Sequence, residues 1–172
     1  MARNVEIKAR VPDLAPFREI AASLAPAPAQ VIQQKDTFFV VSKGRLKVRE
    51  FDDGAGELIS YERADQPGPK ESLYTKASCR DAQALVQTLE RALPVRGVVE
   101  KRRELFLVGR TRVHLDRVAN LGCFVELEVV LGAEDRPEQG YGEARRLLET
   151  LGIPERALVA EAYIDLLEAA DD

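Results

Sequence analysis

Alternation between apolar and polar residues dominates long stretches of this chain. In NVEIKARV, Val5, Ile7, Ala9 and Val11 interleave with Asn4, Glu6, Lys8 and Arg10, the period of a half-buried strand. Strand-like runs recur at VIQQKDTFFVV, RLKVREF and ELISYERA, with SKG and DDGAG between them as tight turns of an antiparallel meander. The Pro/Gly-rich ADQPGPKE leads to a short strand near SLYTKA, and VRGVVEKRRELFLV, RTRVHLD and CFVELEVVL follow. These runs predict eight strands.

Between them the period changes to that of helices. Leu14, Phe17, Ile20 and Leu24 recur at helical spacing before the loop APAPAQ. Ser78 and Asp81 have capping-box spacing ahead of Leu85, Val86, Leu89 and Leu93, predicting a second helix over 80–93. EARRLLETLG predicts a third that ends at Gly152, and Pro154 is suited to the start of a last helix through YIDLLEAA. The chain shows no internal repeat, and residues 1–172 are expected to form one domain.

The polar faces carry sorted charge. Arg45, Lys47 and Arg49 share one face of RLKVREF, Lys101 and Arg103 one face of VVEKRREL, and Arg112, His114 and Asp116 one face of TRVHLD, while FVELEVVL pairs Glu126 with Glu128. A solvated face explains any one of these strands. Together they imply more, because solvent faces mix signs and neutral polar groups. Eight strands curled closed, with helices over an apolar outside, would enclose these groups in a polar tunnel. Converging cations there require an anion of high charge density, such as a polyphosphate. Glu6, Glu126 and Glu128 add hard oxygen ligands suited to Mg2+ or Mn2+.

Composition narrows the function class. The net charge of −4, with 45% hydrophobic and 31% charged residues, fits a globular protein and argues against a nucleic-acid or membrane-surface partner. Without an apolar signal core or a run long enough to span a bilayer, the chain is expected to be cytoplasmic. Only Cys79, Cys123 and His114 could supply soft ligands, too few for a zinc or iron–sulfur centre.

NVEIKAR is similar to the N-terminal ExExK signature of the CYTH superfamily, the triphosphate tunnel metalloenzymes. VHLDRVANLGCFVELEVV resembles their later barrel strands, and DTFF, GRLKVR and EKRR match in order. The resemblance implies an α+β fold, a closed eight-stranded antiparallel β-barrel with helices outside and a triphosphate and divalent metal within. It also implies adenylyl cyclase (class IV) or triphosphatase activity on ATP, inorganic triphosphate or thiamine triphosphate, and for some members a homodimer. Carried over residue by residue, Glu6, Glu126 and Glu128 match metal-binding glutamates. Lys8, Lys47, Arg49, Lys101, Arg103 and Arg112 match phosphate-gripping residues, and Arg63 stands near a tunnel lysine of many relatives. Asp116 matches an acidic residue that places a second metal or water, and with Lys8 forms the catalytic pair.

One departure bears on the metal. The first Glu of the signature is Asn4, a neutral amide. A non-catalytic polyphosphate- or nucleotide-binding module is therefore the alternative. Among single residues, Tyr61 reads as packing and His114 as structural. Tyr74 and Lys76 lie where the chain re-enters the barrel, and Tyr163 either closes one tunnel end or packs there.

Overall fold

The computed structural model describes residues 1–172. Nine strands form one sheet: β1 (Ala2–Val11), β2 (Gln30–Phe39), β3 (Arg45–Phe51), β4 (Gly56–Arg63), β5 (Lys70–Cys79), β6 (Val95–Val108), β7 (Thr111–Val118), β8 (Gly122–Leu131) and β9 (Leu158–Val159). Their order is β5-β4-β3-β2-β6-β7-β8-β1-β9, and an antiparallel β5–β1 ladder closes the first eight into a barrel. Closure removes the exposed edges that an open sheet would present.

The ninth strand was not expected. β5 pairs with β1 only over Ala2–Glu6, and β9 takes over the same edge opposite Lys8 and Ala9. It completes the wall where β5 diverges. Pro154 accordingly precedes a 3₁₀ turn, Glu155–Ala157, and the last helix begins only at Tyr163. The strand near SLYTKA is longer than predicted, and Ser78 belongs to it, paired opposite Glu57. Asp81 alone caps the following helix, its Oδ1 accepting from the Ala84 amide at 2.9 Å.

Helices α1 (Ala15–Leu24) and α3 (Pro137–Leu151) pack on the outside of β1, β7 and β8. The alternation of the first strand thereby finds its explanation. Val5, Ile7 and Ala9 point outward into a core shared with Val125, Leu127, Ala21, Ala144 and Leu148, and the charged positions point inward. Gly152 ends α3 in the left-handed conformation, φ 73°, as its C-terminal position predicts. Helix α2 (Ala82–Glu90) covers Val48 and Phe39. Helix α4 (Tyr163–Asp171) sits at one end of the barrel, where Tyr163 and Ile164 join Phe38, Val99, Val118 and Phe124. Gly97 makes room for it, since a Cβ there would lie 2.6 Å from Ile164 Cδ1. No helix is long and apolar enough to cross a membrane.

Candidate active site

The barrel interior is a charged tunnel of about 270 Å3. It brings together every residue singled out above as catalytic, phosphate-gripping or metal-binding except Asp116, which lies in the wall behind it. Strand register sorts them. β1, β7 and β8 are consecutive neighbours, placing Glu6 opposite Glu128, Lys8 opposite Glu126, and Arg112 and His114 opposite Glu128 and Glu126. β3, β2 and β6 form the other wall, with Asp36 opposite Arg49 and Gln34 opposite Lys101.

On that second wall three cations converge on one carboxylate. Arg49 donates to both Asp36 oxygens at 2.8 Å, Lys47 donates to Oδ2 at 2.8 Å, and Lys101 Nζ stands 3.8 Å away. These charges hold the Asp36 carboxyl well below its ordinary range despite its burial. Asp36 cannot balance all three, however. Burial and the nearby Arg49 push the Lys47 ammonium down to about 8, and burial and Arg103 push Lys101 down as well. Both shifts follow from crowding buried cations around a single carboxylate.

Arg103 is fixed separately. Its guanidinium makes a two-pronged contact with Asp116, 2.7 Å on each side, and reaches Glu126 at 3.4 Å. Tyr163 donates its hydroxyl to Asp116 Oδ2 at 2.7 Å, so both Asp116 oxygens are engaged. Asp116 is fully buried. The Tyr163 ring lies under two lysines, 4.1 Å from Lys8 Nζ and 5.1 Å from Lys101 Nζ, close enough for cation–π attraction.

The first wall is acidic. One ligand atom from each of His114, Glu126 and Glu128 lies within 4.8 Å of the other two. This donor set suits a divalent cation, with two hard carboxylates and a buried imidazole whose pKa burial pushes down, favouring the neutral, ligating form. The surplus of negative charge is visible at Glu6, where burial and then Glu126 drive the carboxyl up to about 7. A cation would relieve it. Glu6 also pairs with Arg63 Nε at 3.2 Å, and Arg112 pairs with Glu128 at 2.7 Å. Asn4 lies in the same wall with its Oδ1 buried and unpartnered.

The chain matches the CYTH domain over residues 2–163. It belongs to the CYTH family. CYTH membership explains why the tunnel and its sorted charge occur on this barrel, and the family is metal-dependent, in keeping with the acidic cluster. No curated protein matches the chain in sequence. Among solved structures it is similar to the PH1012 protein of Pyrococcus horikoshii OT3, at 25% identity and TM-score 0.84 over 95% of this chain and 98% of that one. It shares the fold of a candidate adenylate cyclase from Vibrio parahaemolyticus, at 19% identity and TM-score 0.77 over 96% and 97% of the two chains. It also shares the fold of HpAC1 from Hippeastrum, a candidate adenylyl cyclase with dominant triphosphatase activity, at 16% identity and TM-score 0.66 over 97% and 96%.

Three features of this CYTH site were not anticipated. Asp36 organises the basic wall; its alternation with Gln34 and Phe38 in QKDTFF and its place in the matching stretch DTFF were the signals for it. Lys70, opposite Glu6 in the β1–β5 ladder and outside the tunnel lining, is 2% exposed, and its Nζ donates to the carbonyls of Gln66 and Ala160. His114 joins the carboxylates instead of merely packing. His114 shares its strand face with Arg112 and Asp116, so the signal was present.

Proposed function

We propose that this CYTH protein is a divalent-metal-dependent enzyme that acts on a triphosphate held in the tunnel. The observation that carries the reading is the division of the interior: three cations around Asp36 on one wall, and His114, Glu126 and Glu128 on the other. A triphosphate lying between them would neutralise the first wall and share a cation with the second. Bound Mg2+ or Mn2+ would withdraw charge from phosphate oxygens and favour an attacking oxygen in its deprotonated form.

The chain's own groups supply the rest. Lys47, Arg49, Lys101 and Arg103 grip phosphate oxygens, and their fixed positions make stabilisation of developing charge mainly a matter of preorganisation. Lys8 stands between the walls, 3.7 Å from Glu126 and donating to the Glu161 carbonyl at 3.2 Å; it holds a phosphate or nucleophile oxygen through its Nζ protons. Asp116 acts through Arg103, keeping that guanidinium aimed into the tunnel. Arg63 and Arg112 tie the acidic wall to the substrate's remaining charge.

Two reactions use this arrangement. Water attacking the terminal phosphorus releases orthophosphate and a diphosphate; a ribose 3′-hydroxyl attacking the α-phosphorus releases pyrophosphate and cyclic AMP. Hydrolysis is the primary reading, since the tunnel contacts named here address phosphate charge. The fold shared with the Vibrio candidate cyclase supports cyclisation as the second. Chromatography of products from ATP, inorganic triphosphate and thiamine triphosphate with Mn2+ at mildly alkaline pH separates them. Binding of all three without any product would make the chain a binding module instead.

A further inference from the structure

Two tunnel lysines stop just short of a carboxylate. Lys8 Nζ stands 3.7 Å from Glu126, and Lys101 Nζ stands 3.8 Å from Asp36. Buried opposite charges within reach of one another ordinarily close to hydrogen-bond distance. Register does not keep the first pair apart, since Lys8 and Glu126 are directly opposite in the β1–β8 ladder. What the two ammonium groups share is Tyr163, whose ring centre is 4.1 Å from Lys8 Nζ and 5.1 Å from Lys101 Nζ. The same chain segment supplies the Glu161 carbonyl that accepts from Lys8 at 3.2 Å.

The ring is itself held firmly. Phe124 meets it edge-on, with centres 4.9 Å apart and planes at 66°, and its hydroxyl donates to Asp116 at 2.7 Å. Both of those partners are fully buried. Tyr163 is the first residue of α4, and Asp165 ties that helix start down, accepting from the Ala162 amide at 3.0 Å and pairing with Arg45 and Arg96. An aromatic face attracts an ammonium without neutralising it. The N–H groups that do not point at the ring stay available to another acceptor, whereas a carboxylate at close range would satisfy the charge and lose its own.

We propose that Tyr163 is a positioning residue for triphosphate binding: its ring holds Lys8 and Lys101 clear of Glu126 and Asp36, so that both lysines keep donors for phosphate oxygens and Glu126 stays open to a cation. The hydroxyl aims the ring, and the ring does the holding. This role rests on the reading of the tunnel as a triphosphate site, and it adds that α4 sets, through one side chain, the charge available on both walls. Without the ring, Lys8 closes onto Glu126 and weakens triphosphate and metal together.

Calorimetry of metal-free protein with inorganic triphosphate, and of protein with Mn2+ alone, provides the test in Tyr163→Leu and Tyr163→Phe. Tyr163→Leu should bind triphosphate about ten-fold or more weakly than wild type, as for loss of two buried cation–π contacts, and its Mn2+ affinity should fall as well. Tyr163→Phe keeps the ring and should bind both within about three-fold of wild type, although it loses the hydrogen bond to Asp116. A tyrosine that only packs would lower urea stability in these variants and leave the affinities of the folded protein unchanged. Nuclear magnetic resonance of the wild type needs no variant to fold: the ring current should move the ε-methylene protons of Lys8 upfield, more than those of the farther Lys101. Unshifted Lys8 signals, or wild-type affinities in folded Tyr163→Leu, would overturn the role and leave the triphosphate tunnel standing. Failure of the wild type to bind triphosphate would overturn both.

Discussion

Replacing Lys47 by methionine should make the protein more stable and a poorer binder of triphosphate. Lys47 faces Asp36, Arg49 and Arg103, with its Nζ also 5.3 Å from the Phe38 ring centre and 5.5 Å from that of Tyr61. Burial, then Arg49, lowers its pKa from 10.5 to about 8. The sign follows from proton counts. Between pH 8 and 10.5 the unfolded chain holds a proton at this position that the folded chain has released, so stability rises with pH across that window. Below pH 8 both states are protonated and the penalty is fully present. The shift corresponds to about 3 kcal/mol of destabilisation at neutral pH. Methionine fills similar space without charge, and Asp36 keeps both contacts to Arg49. Urea denaturation at pH 7 should therefore show a gain of about 1–3 kcal/mol for Lys47→Met, or roughly 2–12 °C in Tm. The difference between variant and wild type should shrink as pH rises towards 10. Calorimetry should show triphosphate binding weakened about ten- to a hundred-fold, as expected for loss of a charged hydrogen bond. A variant less stable than wild type by the same amount at every pH would refute the reasoning.

Glu128→Gln should weaken Mn2+ binding and reduce turnover by orders of magnitude while leaving the far-ultraviolet circular dichroism unchanged, because it removes an anionic ligand atom from the cluster with His114 and Glu126. Arg49→Ala should weaken triphosphate much more than monophosphate in competition calorimetry; equal losses would point to a structural role. Asp116→Asn should destabilise the fold by about 3–5 kcal/mol in urea, since Arg103, 4% exposed, loses its compensating charge. Tyr163→Phe, which removes one hydrogen bond to Asp116, should be milder at about 1 kcal/mol.

The barrel was legible because β1, β3 and β8 alternate apolar and polar residues along most of their length, and a closed sheet turns that alternation into an inside and an outside. The same logic carried Glu6, Lys8, Lys47, Arg49 and Glu128 into the tunnel, where register brings them together. It could not rank the inward cations. Arg45 shares a strand face with Lys47 and Arg49, yet it pairs with Asp65 and with Asp165 of α4 and so belongs to the closed end. That pairing spans 120 residues, beyond the reach of local pattern. The ninth strand escaped for a similar reason, because two residues carry no period and pair only where β5 has left the edge of β1. Helix capping was misread by position and not by chemistry: Asp81 and Ser78 are both competent caps, and the β4–β5 ladder had already claimed Ser78.

The central claim is that the acidic wall holds a divalent cation against a triphosphate gripped by the basic wall. Electron–nuclear double resonance of Mn2+ with inorganic triphosphate tests it most directly. The account predicts one bound Mn2+ with resolved 31P coupling in the wild-type protein, and loss of that protein-bound signal in Glu128→Gln. Mn2+ bound by the protein without 31P coupling, or free in solution while triphosphate is bound, would contradict it.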